Sequence, residues 1–199
     1  MSNSVTHWKK IQAVTIARAI SVFGSELTTF SVILRERPQG AGIVSMLFII
    51  GTLPLILFGP WSGWLADRFS TRQVIPAVNL ISALAVISLT QSMPTWMLAI
   101  VIFVNSAMSG ISAPTFGALI PSLCKDEDIS RAQGLAQSYF AFASLLAPAT
   151  AGLLVGSTGY FWPFVIDSVT FVVIAFSPFY LLVNRPGKAE HNGKKLKVM

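Results

Sequence analysis

A single cysteine, Cys124, and two histidines, both in the tails, leave this chain without a disulfide framework and without the ligand set of a zinc or iron site. No metal and no cofactor is expected. Cys/His nucleophilic catalysis goes with them, and the apolar segments hold no carboxylate pair at close helical spacing, so a membrane-embedded enzyme lacks its reacting groups. Charge is scarce too. Only 11% of the 199 residues are charged against 53% hydrophobic, which is too little polar surface to cover a soluble globule of this length. The bilayer is the expected solvent. No small-residue cleavage site follows Lys9, Lys10 and the first apolar residues, so the start reads as a retained helix rather than a secretory signal.

What the chain does have is long apolar runs. Stretches near the ~20 residues a bilayer requires fall at roughly 11–34, 41–65, 74–90, 95–119, 134–155 and 161–183. They predict an all-α membrane protein with six transmembrane helices over 1–183 and a basic tail over 184–199. Most connections are tight turns; the segment 121–133 is the long one. If the N-terminus is cytoplasmic, Lys9, Lys10, Arg68, Arg72, Lys125, Arg131, Arg185, Lys188, Lys194, Lys195 and Lys197 lie inside and Arg35 and Arg37 outside. That bias orients both termini toward the cytoplasm. It also gives the net charge of +6 a membrane explanation: the tail faces anionic lipid, and nucleic acid is not an expected partner.

An ionisable side chain at membrane depth costs roughly 2.5–3.5 kcal/mol on insertion scales, so it tends to face a cavity or a partner. Arg18, Glu26 and Asp167 are the three here. Arg18 is expected to snorkel to the cytoplasmic surface or to answer a carboxylate there. For Glu26 a coupling or substrate role stands beside a protonated carboxyl bonded to Ser25, Thr29 or another helix. Asn105, Ser109 and Ser112 share one face of the fourth helix. That face is a candidate cavity lining, with hydrogen bonding between helices as the alternative. Trp8, Trp61, Trp64, Trp96 and Trp162 cluster near helix ends, as interfacial anchors do. The segment from Lys125 to Arg131 reads as a solvated surface whose acids face a helix N-terminus.

Two motifs carry a family resemblance. Gly63, Asp67, Arg68 and Arg72, in the form Gly-x-x-x-Asp-Arg-x-x-x-Arg between the second and third helices, resemble the cytoplasmic signature loop of the major facilitator superfamily. Ser70 and Thr71 depart from the glycine and cation usual there. In the fifth helix, Gly134, Ala143, Ala147-Pro148 and Ala151-Gly152 resemble the glycine and proline motif of the superfamily's antiporters, with three glycines replaced by alanine. Small residues at Gly134 and Gly152 would let a helix approach closely, and Pro148 would bend the fifth helix. The remainder resembles the bacterial branch of enterobactin-exporter-like and macrolide-efflux-like proteins.

The resemblance implies an N-terminal six-helix half of a transporter in the bacterial cytoplasmic membrane, exporting a small amphipathic compound of drug or siderophore class by proton exchange. It puts the substrate between two halves near the bilayer midplane, so a second half, as a separate chain or a second copy, is the expected partner beside lipid and substrate. It assigns Glu26 to the cavity wall as the coupling candidate, Asp67 to a latch against the other half, and Asp167 to a peripheral helix where it steadies a helix start or bonds a neighbour. The alternative is a non-transporting remnant or membrane scaffold.

Overall fold

The computed structural model describes residues 6–181, and of Pro60, Ala66, Asp67 and Tyr180 only the backbone. The basic tail over 184–199 lies outside the described residues. Six α-helices follow one another: α1 (Trp8–Glu36), α2 (Ala41–Arg68), α3 (Thr71–Ser88), α4 (Thr95–Leu119), α5 (Ile129–Thr158) and α6 (Phe161–Tyr180). All six contain stretches long and apolar enough to cross a membrane. Among the described residues there is no strand.

Several helices outrun the apolar windows, because a helix satisfies its own backbone and need not stop where the hydrocarbon does. The expected loop 121–133 gives way to two short 3-10 turns before α5 starts at Ile129. The expected loop 67–73 shrinks to Phe69 and Ser70, both extended. Where the chain must reverse within few residues, glycine takes the left-handed region: Gly40 (φ 102°) closes the α1–α2 turn and Gly159 (φ 78°) the α5–α6 turn.

Ser70 compensates for the missing loop glycine. It opens α3 as the N-cap of a capping box in which Gln73 Oε1 accepts from the Ser70 backbone N–H at 3.1 Å. Ser70→Ala is expected to lower stability by about 1 kcal/mol, read as an earlier midpoint in a mixed-micelle denaturation titration.

Packing runs in an open series: α2 against α4, α4 against α3, α3 against α6, α6 against α1, and α1 against α5. Without a hydrophobic drive inside lipid, close approach of small residues holds such a bundle. The α1–α5 contact shows it, since the buried residues of α5 are Ala132, Ala136, Ala143, Ala147 and Ala151, spaced at helical intervals on one face. At the α2–α4 contact, a Cβ on Gly51 would stand 3.2 Å from Ile102 and one on Gly110 3.2 Å from Leu55.

The sixth helix is the most enclosed one within this half. In its spanning stretch 56% of residues are buried, against 11% in α2 and 17% in α4 and α5. Wide apolar faces of α2, α4 and α5 are therefore left without a partner among the described residues. The N-terminal segment is fastened to the α4–α5 connection: His7 N–H donates to Leu123 O at 3.0 Å, Thr6 Oγ1 to Asp128 Oδ2 at 2.5 Å, and Lys125 N–H to Thr6 Oγ1 at 3.0 Å. The segment expected as a plain solvated surface is thus also a clasp, and Arg131 adds its guanidinium 5.0 Å over the Trp8 ring.

Candidate functional site: a groove between α1 and α4

α1 and α4 are not packed against each other. Between them, flanked by α2 and backed by α3, lies a cavity of about 220 Å³. Its polar lining comes from Thr28, Thr29 and Glu36 of α1, Thr52 of α2, and Asn105 and Ser106 of α4; Val32, Leu47, Phe48, Val86 and Ile102 supply much of the apolar wall. Asn105 Oδ1 is buried there without a hydrogen bond. An acceptor left open in low dielectric costs free energy until a donor reaches it.

Glu36 was not anticipated, because it falls outside the apolar windows in a segment expected to be loop. The extension of α1 carries it to the rim of the cavity, where it is 4% exposed. Arg35 Nε stands 3.6 Å from its carboxylate and Gln39 Nε2 donates to it. Arg35 also donates to Leu89 O at 2.9 Å, and Gln39 Oε1 accepts from Thr95 Oγ1 at 3.1 Å. These contacts bind the end of α1 to the α3–α4 turn. The sequence signal was the cluster Arg35, Glu36, Gln39 around Pro38. Glu36→Ala, which removes the carboxylate that Arg35 and Gln39 Nε2 share, is expected to cost about 1–3 kcal/mol, measured in the same titration.

On the side of α1 that meets α6, Asp167 is fully buried (0% exposed). It accepts from Thr28 Oγ1 at 2.6 Å, and Thr170 Oγ1 lies 3.4 Å from its other oxygen. Asp167 thus bonds a neighbouring helix through Thr28, which itself lines the cavity. Gly24 makes this possible, since a Cβ there would stand 2.6 Å from Asp167 Oδ1 and 2.7 Å from Thr170 Oγ1.

The other predicted residues fall as follows. Glu26 is half-buried on α1 and does not line the cavity. Ser25 and Thr29 are turned away from it, donating to Ser21 O at 3.0 Å and Ser25 O at 2.9 Å. Of the α4 face, Asn105 lines the cavity, Ser109 is half-buried below it, and Ser112 is buried with its Oγ unbonded. Ser106, not singled out from the sequence, belongs to the lining as well.

In the α2–α3 turn Gly63 is exposed, Arg68 is exposed with its guanidinium 5.1 Å over the Trp64 ring, and Arg72 is half-buried; the Asp67 side chain lies outside the description. In α5, Pro148 is half-buried, while a Cβ placed at Gly134 or Gly152 would meet nothing within 4 Å among the described residues outside its own stretch of helix. Close packing inside the chain uses the alanine face of α5 instead, and the two glycines point outward.

Residues 14–198 match the family model described as Major Facilitator Superfamily. This chain belongs to that superfamily. Superfamily relatives include macrolide efflux protein A of Streptococcus pyogenes, 30% identical over 156 residues that make up 74% of this chain and 38% of the relative. Macrolide efflux protein A of Enterococcus faecalis is 30% identical over 121 residues, 58% of this chain and 38% of the relative. The uncharacterized MFS-type transporter YfiS of Bacillus subtilis (strain 168) is 26% identical over 179 residues, 87% of this chain and 42% of the relative. The chain thus matches well under half the length of these superfamily members, and it is a multi-pass membrane protein with one six-helix unit.

Proposed function

We propose that the chain is one half of an efflux permease of the bacterial cytoplasmic membrane, with both termini in the cytoplasm, and that it acts as a transporter rather than an enzyme. The groove between α1 and α4 is its half of the substrate path. The observation that carries this reading is the unfilled polar wall of that groove, above all the buried, unbonded Asn105 Oδ1. A second six-helix half, from another chain or a second copy, closes the path and covers the exposed faces of α2 and α5, including Gly134 and Gly152.

The substrate is a small amphipathic compound, since the cavity mixes an apolar wall with isolated polar groups. Likeness to two macrolide efflux proteins makes a macrolide the first compound to try. Export is by proton exchange, with Glu26 as the coupling carboxylate: it lies at membrane depth, half-buried, with no hydrogen bond inside the described chain to hold it in a structural role.

The test is accumulation of a radiolabelled macrolide in cells expressing the chain alone, and with a second six-helix half supplied from a homologous exporter. Lower accumulation in the paired cells, abolished by Glu26→Gln and by dissipating the proton gradient, is the expected result. Equal accumulation with and without the chain across a panel of amphipathic drugs would sink the efflux reading.

A further inference from the structure

Below the cavity, about 15 Å along α1 from Thr28 by the helix rise of ~1.5 Å per residue, Arg18 is a cation with unfilled hydrogen-bonding capacity. We infer that Arg18 forms a binding site for the oxyanion of an amphipathic ligand. The inference rests on the groove being a ligand path. It adds what neither the cavity nor the relatives indicate, that the ligand carries a carboxylate, sulfonate or phosphate.

By the helix rise of ~1.5 Å per residue, Arg18 sits about 15 Å along α1 from Trp8, well inside the spanning segment. It was expected to snorkel out or to answer a carboxylate, and no described carboxylate answers it. The side chain is half-buried and reaches α4, its guanidinium 5.3 Å from the centroid of the Phe116 ring. A cation–π contact of this kind uses the guanidinium's charge and none of its hydrogen-bonding N–H groups. None of them is hydrogen-bonded within the described chain, and no carboxylate among the described residues lies within ion-pairing distance.

The surroundings add donors rather than acceptors. α1 and α4 run antiparallel, so one turn outward from the Arg18–Phe116 contact stand Ser21 on α1 and Ser112 on α4. Both are buried, and both hydroxyls lack a hydrogen-bond partner. A forked cation beside open hydroxyls suits a two-oxygen anion, because the guanidinium edge binds such a group bidentately. A ligand without an oxyanion leaves the fork unfilled.

The experiment uses the full chain purified in dodecyl maltoside, which carries no phosphate, and a fluorescent probe pair, 11-(dansylamino)undecanoic acid and its methyl ester. The account expects the acid to bind at least about tenfold more tightly than the ester, the range of a charge-assisted hydrogen bond. Arg18→Gln should remove that preference while leaving ester affinity unchanged, and Arg18→Lys should keep part of it. Equal affinities for acid and ester, or a preference that survives Arg18→Gln, overturn the site.

Should Arg18→Gln fail to fold, Ser112→Ala takes its place, with a several-fold loss for the acid only; an unchanged preference there counts against the site. Displacement by phosphatidylglycerol at lower concentration than by dodecanoate makes a lipid headgroup the natural source, and the reverse order a solute; the site stands in both. Macrolide export without acid preference sinks this site alone, and acid preference without export sinks the efflux reading alone.

Discussion

Gly24→Val should unfold the half or lower its stability by about 3 kcal/mol or more, the upper end of what overpacking costs. The Cβ alone would stand 2.6 Å from Asp167 Oδ1, 2.7 Å from Thr170 Oγ1 and 3.1 Å from the Asp167 Cα. The last of these is backbone and cannot swing aside, so α1 and α6 must separate. Their separation also breaks the buried 2.6 Å bond from Thr28 to Asp167, leaving the buried carboxyl group only the longer contact to Thr170 Oγ1. Gly152→Val is the matched control: the same change, placed where a Cβ meets nothing within 4 Å among the described residues, should shift stability by less than about 0.5 kcal/mol. A denaturation titration of both variants in mixed micelles decides the matter. Similar midpoints for the two would mean that α1 and α6 do not meet through Gly24.

Asp67→Asn is the second large effect, and it should strike transport rather than folding. Asp67 lies in the last turn of α2, which ends at Arg68. Helix carbonyls concentrate negative charge at that end, so a carboxylate there is unfavourable by about 0.3–1 kcal/mol. An acid kept in such a place is expected to bond something beyond its own helix, and the helix N-terminus of a second half offers the matching positive end. The amide should leave insertion and thermal stability of this chain unchanged or slightly improved. Transport by the paired halves should fall at least about tenfold, the equivalent of one lost charge-assisted hydrogen bond. Unchanged efflux by Asp67→Asn would remove the latch.

The six spans were legible because the requirement that sets them, an apolar run of bilayer length, is written locally. Helix ends were less so: Ser130, Arg131 and Gln133 are polar yet helical, since their backbone is satisfied within α5 and Arg131 finds the Trp8 ring. The polar face of α4 was readable from spacing, and Asn105 does line the cavity. Glu36 was not readable, because its burial depends on Arg35 and Gln39 folding back onto the α3–α4 turn. The partnership of Gly24, Thr28 and Asp167 joins residues far apart in the chain, and no local pattern announces it. The glycines of α5 drew attention while its alanines made the internal contact, since spacing tells which residues share a face but not which face meets α1.

Whether the groove is a water-filled path or a surface lying against lipid can be measured directly. Cys124→Ser provides a cysteine-free background, Cys124 being the single cysteine. Thr29→Cys and Ser106→Cys place thiols in the groove, and Leu84→Cys places one on α3 at a position 71% exposed in the isolated chain. A charged, membrane-impermeant methanethiosulfonate reacts only with thiols that water lets ionise. In native membranes the account predicts labelling at positions 29 and 106 at least about tenfold faster than at 84, since thiolate formation needs an aqueous path. Equally slow labelling at all three would place the groove in lipid, as in a half that never meets its partner, and would contradict the transport account.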